Sequence, residues 1–597
     1  MKPLRERPWL GSAVIAALAV AASAVSIVNR FTYDDRYIIE LNPLMRGLRT
    51  WWRVFAVSYW PKDWGGDGYR PFTLLAFKIE WAIGRGSPLV FHAANILLYA
   101  AVAVLVYHLG RRILPEWAAG VAAALFAVHP VHVEAVANVV GQSELIVAAA
   151  VLVALLLYLR DRALDGGRGA LRPATIAAIL ALYAVACLTK EHGAVLPALL
   201  GVTELTLLVD PRPARERIRR LRPVYLALVA VAVVCVGART LVITGNHDVG
   251  GFFPFMPFNT LHTSTRDRIL TAIGVVPQWV RLLYWPARLS SEYGPPDIEI
   301  AQGSSISQLP GALLLTAILA FGVLLRRRQR VISFGIAFVC IALLPSSNFV
   351  VTAGIVLAER TLFLPSVGAM LIVGALAVVA AEQVTARERY VRGLTVAAAV
   401  ACGLLIAAGI VRSTRRSRIW HDNGTLFHRA VIDSPLAYRA HYMLGAWDFE
   451  QKRKREGEAE YKKALALFPY DPFLAFNLAE QYRLTGLCEP AIPLYRFAHA
   501  MDPGFPMGHT QLSTCLLEAG HFDEAKAEAL AAIQRGGQLR LLRRVIFLAD
   551  SAKSADAGAS GEKHSFTAMD GRPSKLPETM QKTAVSMGSR LAAERRN

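Results

Sequence analysis

The chain has 597 residues, of which 54% are hydrophobic, and a formal net charge of +20 at pH 7. The hydrophobic residues gather in blocks of about twenty, long enough to cross the roughly 30 Å hydrocarbon core of a bilayer, which excludes an ordinary soluble globular fold. Most arginines lie in short loops between these blocks, so the basic charge indicates membrane topology rather than a surface for nucleic acid.

Eleven hydrophobic segments predict an all-α fold in which a polytopic helical membrane domain occupies residues 1–412. The first segment follows three basic residues, and its length together with the later segments favours an uncleaved anchor over a signal peptide. A further apolar segment at 269–289 contains two arginines, so we expect it to lie on the outer membrane surface. The predicted spans are 8–28, 89–108, 117–135, 144–160, 174–190, 194–209, 223–243, 309–325, 331–350, 362–381 and 393–411.

The loops between the spans fall into two sets that alternate along the chain. One set is rich in arginine and is predicted to lie in the cytoplasm with the N-terminus. The other short loops carry only Lys190 and Arg360 as basic residues, each with an acidic neighbour, Glu191 or Glu359. An odd number of spans then places the C-terminal region on the non-cytoplasmic side. The Ala- and Arg-rich composition and the very short loops favour a bacterial inner membrane.

After Trp420 the composition becomes that of a soluble helical protein with a repeat of 34 residues. This period predicts three tetratricopeptide (TPR) units that begin at residues 438, 472 and 506, followed by a capping helix that ends at 552. Small residues recur where the two helices of a unit touch: Ala464, Ala498 and Ala532.

The regions that flank the repeats are predicted to be a connector helix at 413–437 and a disordered tail at 553–597. TPR arrays form a concave surface, on which we expect an acceptor protein or peptide to bind. Cys488 and Cys515 both lie in the repeats, and the sequence leaves open whether they pair.

Polar residues next to the predicted spans concentrate on the outer side, where they are candidates for function. A carboxylate there can take a proton from an acceptor hydroxyl, and cations can hold a phosphate leaving group. We therefore predict a reaction on a lipid-linked phosphate. The candidate site residues are Asp34, Asp35, Arg70, His129, His132, Glu134, Lys190, Glu191, Glu359 and Arg360.

These motifs also have structural explanations. Asp34-Asp35 can form a solvated turn beside Arg36, and the two pairs of oppositely charged neighbours can be ion pairs at helix ends. His129 and His132 with Glu134 have residue types that ligate metals. Since a proline interrupts this helix and no further ligand is evident, we predict no metal and no certain cofactor.

In combination, the motifs resemble a known family. In chain order they are the acidic pair, Tyr69-Arg70-Pro71, Phe91-His92-x-x-Asn95, His129-Pro-Val-His-x-Glu-Ala, Gly141-x-x-Glu144, Lys190-Glu191, Ser347-Asn348 and Ala358-Glu359-Arg360-x-Leu-x-Leu-Pro365-Ser366. With eleven spans and C-terminal TPRs, they resemble the transmembrane-and-TPR O-mannosyltransferases, which are related to protein O-mannosyltransferases with the GT-C fold. The resemblance extends from about residue 31 to about residue 537.

The resemblance implies an inverting transfer of a mannose-like sugar from a polyprenyl-phosphate donor to a protein Ser or Thr hydroxyl outside the cytoplasm. It implies Asp34 or Asp35 as the catalytic base. Adjacent residues of an extended segment point in opposite directions, and we favour Asp35 as the base with Asp34 as its support. Arg360 and Lys190 are expected to hold the donor phosphate, with Arg70 as the next candidate.

Three alternatives remain open from the sequence. The same fold can glycosylate a lipid or a surface polysaccharide. A non-catalytic scaffold whose TPRs recruit a partner has no need of acidic and basic residues collected on one side. A transporter is expected to show internal repeats and charges near the middle of the membrane, and neither is evident.

Overall fold

The computed structural model describes residues 8–61, 68–164, 169–246, 257–261, 263–385, 391–501, 506–534 and 539–558. Within these residues the regular structure is helical and contains no β-strand, which agrees with the predicted all-α class. The chain divides into two compact units. The first comprises residues 1–248, 264–293 and 301–433, and the second comprises residues 249–263, 294–300 and 434–597.

The α-helices are joined by short 3₁₀ turns and irregular segments. Those before residue 434 are α1 (Pro8–Ser23), α2 (Pro71–Gly84), α3 (Pro88–Ile113), α4 (Glu116–Ala127), α5 (Val133–Ala137), α6 (Gln142–Arg162), α7 (Pro173–Thr189), α8 (Leu196–Thr206), α9 (Ala214–Asn246), α10 (Pro257–Thr260), α11 (Thr265–Tyr284), α12 (Leu309–Leu324), α13 (Arg330–Leu343), α14 (Phe363–Thr385), α15 (Val391–Ser417) and α16 (Asn423–Asp433). The later ones are α17 (Tyr438–Glu450), α18 (Lys454–Leu467), α19 (Pro472–Leu484), α20 (Cys488–Met501), α21 (Pro506–Glu518), α22 (Phe522–Gln534) and α23 (Leu539–Gly558).

In the part of the chain that the structure describes, seven helices are long and apolar enough to cross a membrane, or eight if one bent pair counts as a single span. The chain is therefore a multi-pass membrane protein. The segment predicted to lie on the membrane surface corresponds to α11, which is not among these candidates. The seven are Trp9–Val28, Pro88–Ile113, Val139–Arg162, Arg215–Gly245, Ile306–Leu324, Glu359–Val384 and Gly393–Trp420.

The predicted number of eleven spans is not confirmed, although a helix lies at each of the eleven positions. Four positions fall short. One of them is α4, which meets the following segment Pro130–Ala137 at an angle of 45°. Pro130 has no backbone N–H to donate. Helices α7, α8 and α13 have 17, 11 and 14 residues. At 1.5 Å per residue they reach about 26, 17 and 21 Å, less than the roughly 30 Å hydrocarbon core.

Two glycines allow α13 and α14 to pack closely. A Cβ atom on Gly335 would lie 2.8 Å from the carbonyl oxygen of Gly368, and one on Gly368 would lie 2.7 Å from the carbonyl oxygen of Gly335. Any larger residue would push the helices apart, and small residues are typical of such membrane helix contacts. The contact holds α14 in place directly after the turn that carries Arg360.

Charged residues form a buried network between α6, α8 and the start of α9. Arg162 donates to Glu204 at 2.6 Å and to Asp210 at 3.1 Å, and Arg217 donates to Glu204 at 3.1 Å. These two arginines, which contribute to the predicted cytoplasmic charge, are therefore also structural partners of carboxylates.

The second unit contains three helical hairpins, α17–α18, α19–α20 and α21–α22. Their first helices begin at Tyr438, Pro472 and Pro506, which are the three positions predicted from the 34-residue period. The first hairpin packs tightly, since a Cβ on Gly445 would lie 3.0 Å from the carbonyl oxygen of Gly457. The small residues predicted at the helix contacts are fully buried: Ala464, Ala498 and Ala532.

Helix α23 packs against α22 in the position predicted for a capping helix. It continues to Gly558, beyond the predicted start of disorder at residue 553, and the rest of the tail lies outside the described residues. The predicted connector at 413–437 corresponds to the end of α15 and to α16, and the first unit extends to Asp433. Cys488 and Cys515 form a disulfide that joins the second hairpin to the third.

Candidate active site

The acidic pair lies in a distorted segment after α1. Tyr33 has a left-handed backbone with a φ of 56°, and Arg36–Glu40 form a single π-helical turn. Two long-range hydrogen bonds hold Tyr33, because its N–H donates to Asn423 Oδ1 at 2.7 Å and its hydroxyl donates to Glu292 Oε1 at 2.6 Å. A strained backbone that the surroundings hold in this way is frequent at functional sites.

Asp35 is fully buried and its carboxyl group is bound by the backbone. Oδ1 accepts from the N–H of Val140 at 2.8 Å, and Oδ2 accepts from the N–H groups of Val139 and Thr32 at 3.2 Å each. Burial raises the pKa of Asp35 to about 8, although these three donors act to lower it. Asp35 therefore ties the segment after α1 to the turn before α6.

Asp34 is only half-buried. Its carboxylate lies within electrostatic range of the Arg360 guanidinium and of the Tyr59 hydroxyl. The two members of the pair therefore differ in their surroundings. Asp34 is the more exposed member, whereas both carboxyl oxygens of Asp35 accept backbone N–H groups.

Two of the predicted cations are paired with carboxylates from other segments. Arg70, directly before α2, donates from Nη2 to Glu191 Oε2 at 2.9 Å. Lys190, at the end of α7, donates from Nζ to Glu144 Oε1 at 2.7 Å, in the first turn of α6. The sequence suggested a pair between the neighbours Lys190 and Glu191. In the structure Glu191 pairs with Arg70 instead.

The third cation, Arg360, binds Glu134 of α5 through its backbone N–H, at 2.9 Å, and through its guanidinium. Burial lowers the pKa of Lys190, and Arg70 and Arg360 lower it further against the opposing effect of Glu144, so the three cations lie close enough to interact. We call these contacts the ion-pair group: Arg70–Glu191, Lys190–Glu144 and Arg360–Glu134.

The acidic pair and the ion-pair group all lie at helix ends. Asp35 hydrogen-bonds the segment after α1 to the turn before α6, and Glu144 hydrogen-bonds the first turn of α6 to the end of α7. The turn before α14 is bonded to α5, which precedes α6. These hydrogen bonds bring the segments that carry the candidate residues close together.

Glu359 does not pair with its neighbour Arg360, contrary to expectation. Its Oε1 accepts from the N–H of Ser290 at 2.7 Å and from the hydroxyl of Tyr293 at 2.6 Å, and the side chain is almost completely buried. Successive residues in a 3₁₀ turn point in different directions, so neighbours in sequence need not face each other. Glu359 instead anchors the 290–293 segment, which also contacts the residue before the acidic pair.

His129 and His132 use all four ring nitrogens for contacts with the protein. His132 Nδ1 lies 3.0 Å from the hydroxyl of Tyr99, and its Nε2 lies 2.8 Å from Ser366 Oγ. His129 Nε2 lies 3.1 Å from the carbonyl oxygen of Leu283, and Nδ1 accepts a backbone N–H of its own turn. In this arrangement neither ring has a nitrogen left for a substrate or metal, so the predicted substrate contact is replaced by a positioning role.

Three residues at the site were not selected from the sequence. Glu144 is the partner of Lys190, Glu292 is a partner of the strained tyrosine, and the Tyr59 ring lies 4.6 Å from the guanidinium carbon of Arg70. Glu144 did carry a signal, since it belongs to the motif Gly141-x-x-Glu144, but it was not among the candidate site residues. Tyr59 and Glu292 lie in loops without a pattern that marks them.

The chain thus combines an all-helical, multi-pass membrane unit that gathers acidic and basic residues at one end with a second unit of helical hairpins. The family model described as dolichyl-phosphate-mannose-protein mannosyltransferase matches residues 71–238, less than a third of the chain. The matched region contains four of the six members of the ion-pair group, Glu134, Glu144, Lys190 and Glu191.

Curated proteins similar to this chain over most of its length confirm the resemblance that the motifs indicated. Protein O-mannosyl-transferase TMTC4 of Homo sapiens is 26% identical over 480 residues, which cover 73% of this chain and 64% of that protein. Protein O-mannosyl-transferase F38B6.6 of Caenorhabditis elegans is 24% identical over 470 residues, with coverages of 76% and 62%. The chain spans a little under two thirds of the length of these relatives.

Among solved structures, the oligosaccharyltransferase of Archaeoglobus fulgidus in its apo form aligns with 70% of this chain and 57% of its own. The TM-score is 0.38 and the sequence identity is 16%. A TM-score this low does not establish a common fold.

Proposed function

We propose that this protein is a membrane glycosyltransferase of GT-C type that moves a mannose-like sugar from a polyprenyl-phosphate donor to a Ser or Thr hydroxyl of a protein. The observation that carries the proposal is the position of Asp34, a half-buried carboxylate within electrostatic range of Arg360 in the ion-pair group. A base beside several cations suits a transfer from a lipid-linked phosphate. The similarity to protein O-mannosyl-transferases of other organisms supports the same reaction.

In the proposed reaction, Asp34 accepts the proton of the acceptor hydroxyl while the hydroxyl oxygen bonds to the anomeric carbon of the sugar. The bond between the anomeric carbon and the phosphate oxygen breaks, and the phosphate leaves with the electron pair. Nearby cations stabilise the charge that develops on the phosphate. Attack from the face opposite the leaving group inverts the anomeric configuration.

The cations of the ion-pair group retain donors for a phosphate. In the hydrogen bonds of the described residues, Lys190 uses one of its three N–H groups, for Glu144, and the Arg360 side chain uses only Nη1, for Glu134. The two carboxylates hold the cations in place and leave the remaining donors for a ligand. Because these cations supply the positive charge, no metal ion is part of the proposal.

We further propose that the hairpins are TPR units, that they lie on the non-cytoplasmic side with the active site, and that they bind the acceptor protein or peptide. The disulfide between Cys488 and Cys515 supports this placement, because disulfides persist in oxidising compartments such as the periplasm. The arginine-rich loops support it as well, provided that all eleven helices cross the membrane. The composition favours a bacterial inner membrane.

The test is transfer of labelled sugar from a polyprenyl-phosphate donor to envelope proteins by the purified full-length chain. Wild type is compared with Asp34→Asn and with Asp550→Asn, a control at an exposed carboxylate of α23. We expect labelled protein from wild type and the control, and a large loss with Asp34→Asn. If label that depends on Asp34 appears in lipid or polysaccharide instead, the acceptor is not a protein. Undiminished transfer by the double variant Asp34→Asn/Asp35→Asn would reject the catalytic proposal.

The side of the membrane is tested separately. A cysteine introduced by Ser554→Cys is expected to react with an impermeant thiol reagent in intact spheroplasts. Reaction only after lysis would place the hairpins in the cytoplasm and reject a shared compartment for site and acceptor surface.

A further inference from the structure

Two histidines and a glutamate from three helices converge where the second and third hairpins meet. His499 lies on α20, His509 on α21 and Glu528 on α22, and one potential ligand atom from each lies within 4.8 Å of the other two. His509 Nδ1 is bonded to Glu528, and His499 Nδ1 lies 4.0 Å from Glu528 Oε1. The two imidazole rings are nearly perpendicular, with centroids 3.6 Å apart.

The first hairpin contains an equivalent histidine–glutamate pair with which this cluster can be compared. His441 and Glu460 stand two 34-residue periods before His509 and Glu528, and they form the same pair, with Nδ1 2.5 Å from the carboxylate. His441 then uses Nε2 for the carbonyl oxygen of Pro435, at 2.9 Å. A histidine–glutamate pair is thus a recurrent structural contact of the hairpins.

The later pair differs in two respects. His509 is almost completely buried, and its Nε2 has no hydrogen-bond partner within the described residues, whereas its counterpart does. His499 adds a third potential ligand at a position that is Leu465 in the first hairpin and Ile533 in the third. His499 is therefore an addition to this junction and not a feature of the repeat.

A cavity of about 300 Å³ adjoins the cluster and is lined in part by His499 and Glu528. Arg496, at its edge, is paired with Glu524, so its charge is balanced. The cavity has room for water to complete a coordination shell next to the three side chains.

We propose that His499, His509 and Glu528 form a binding site for a divalent transition-metal ion, with Zn²⁺ as the best match. Two imidazole nitrogens and one carboxylate oxygen are ligands that Zn²⁺ prefers, and a water from the cavity takes the fourth tetrahedral position. Metal–ligand distances of about 2.0–2.2 Å require His499 to move closer to Glu528 and the hydrogen-bonded His509–Glu528 pair to move slightly apart. The site differs from the proposed catalytic group in residues, unit and chemistry.

The metal would connect α20 of the second hairpin to α21 and α22 of the third. The disulfide joins the same two hairpins, from α20 to α21. Binding to the folded state alone stabilises that state by mass action, so the ion is expected to raise the unfolding temperature of the hairpins.

The test uses the full-length chain in detergent, carrying an affinity tag without histidines and stripped of metal with a chelator. Zn²⁺ is titrated in competition with a chromophoric chelator, and Co²⁺ is substituted to record the visible absorption of four-coordinate cobalt. Wild type is compared with His499→Leu, which introduces the leucine found at the equivalent position of the first hairpin, Leu465. The matched control is His441→Leu. We expect wild type and His441→Leu to bind one equivalent alike, and His499→Leu to bind at least about tenfold more weakly.

The same titration with Glu528→Gln keeps the proposal testable if His499→Leu fails to fold. Weakened binding with preserved secondary structure would support the site. The proposal is overturned if wild type binds no Zn²⁺, or if wild type, His499→Leu and Glu528→Gln bind it equally. It is likewise overturned if His441→Leu weakens binding as much as His499→Leu.

Discussion

The contacts inside the charged end of the membrane unit join residues that are far apart in sequence, whereas those inside the hairpin unit join residues that are close in sequence. Arg360 and Glu134 are 226 residues apart, and Arg70 and Glu191 are 121 apart. Removing one member of such a contact leaves a charge from a remote segment without its partner, and that charge is costly where it is buried. The geometry of the candidate site therefore depends on the whole membrane unit.

In the hairpins the corresponding contacts are local. The Tyr438 hydroxyl donates to Asp471, 33 residues away, and the Tyr482 hydroxyl donates to Glu458, 24 residues away. An array of this kind is stabilised by each repeat and by its nearest neighbours. Substitutions at the charged end should therefore alter the reaction, whereas substitutions in the hairpins should alter local stability. Four predictions test that distinction.

The largest effect is expected from Asp34→Asn. The amide cannot accept the proton of the acceptor hydroxyl, and a general base typically contributes 10²–10⁴-fold in rate, so turnover should fall by about that factor. Because Asp34 is half-buried, the thermal unfolding temperature should stay close to that of wild type. Steady-state transfer and thermal unfolding of the same samples measure both. Wild-type turnover in this variant would contradict the assignment of the base.

The second effect is expected from Arg360→Gln, which removes a proposed phosphate contact. Loss of a charge-assisted hydrogen bond costs about 1.5–3 kcal/mol, so KM for the donor should rise roughly 10–100-fold. The variant also leaves the buried Glu134 without its cation, so stability should fall.

A double variant separates these two causes. Arg360→Gln combined with Glu134→Gln should recover stability while donor binding stays weak. Arg328→Gln, at an exposed residue of an arginine-rich loop, serves as the control for loss of one positive charge. Donor binding that recovers together with stability would show that Arg360 is structural only.

The third effect is expected from Asp35→Asn and should appear in stability. Both carboxyl oxygens of Asp35 accept backbone N–H groups, so an amide there turns one NH₂ toward a buried donor. The unsatisfied group costs about 1–3 kcal/mol and should lower the unfolding temperature relative to Asp34→Asn. If Asp35→Asn instead keeps wild-type stability and loses all activity, Asp35 is the base and the sequence-based preference was right.

The smallest effect concerns pH and the hairpins. Burial raises the pKa of Asp471 to about 6, against the donors Phe473 N–H and Tyr438 hydroxyl. This pKa lies above the value of about 3.9 in the unfolded chain, so protonated Asp471 contributes to the stability of the folded state. The contribution is complete below about pH 4 and is lost as the pH rises through 6. Between pH 5 and 7 the loss should amount to about 1 kcal/mol.

Asp471→Asn should remove this pH dependence, since asparagine caps a helix about as well as aspartate. Hydrogen exchange of the α19 amides at several pH values provides the measurement. Protection that increases with pH in wild type, or an equal slope in the variant, would contradict the assignment.

The two regions also differ in how much the sequence revealed. The hairpin starts at Tyr438, Pro472 and Pro506 were predicted because a repeat is a local pattern that recurs in the sequence. The positions of the membrane helices were predicted from hydrophobic blocks for the same reason. The number of spans is not confirmed, because hydrophobic blocks do not reveal how long each helix is, as the short helix α8 shows.

At the site, the alternation of the loops predicted that the charged residues lie together, but it did not predict their partners. Pairing Lys190 with the adjacent Glu191 was the simplest interpretation, whereas Glu144 is its partner. The burial of Asp35 could not be predicted either, because its donors at Val139 and Val140 are backbone groups, which every residue but proline carries.

The disulfide at the second junction of the hairpins has a mechanical consequence. In a linear array, fraying that starts at the free end passes from one repeat to the next. Fraying that begins in α23 can separate α22 and the later part of α21, but the bond at Cys515 keeps the start of α21 attached to α20. The bond therefore acts as a stop that protects the first two hairpins, and chemical reduction would let unwinding continue through the array.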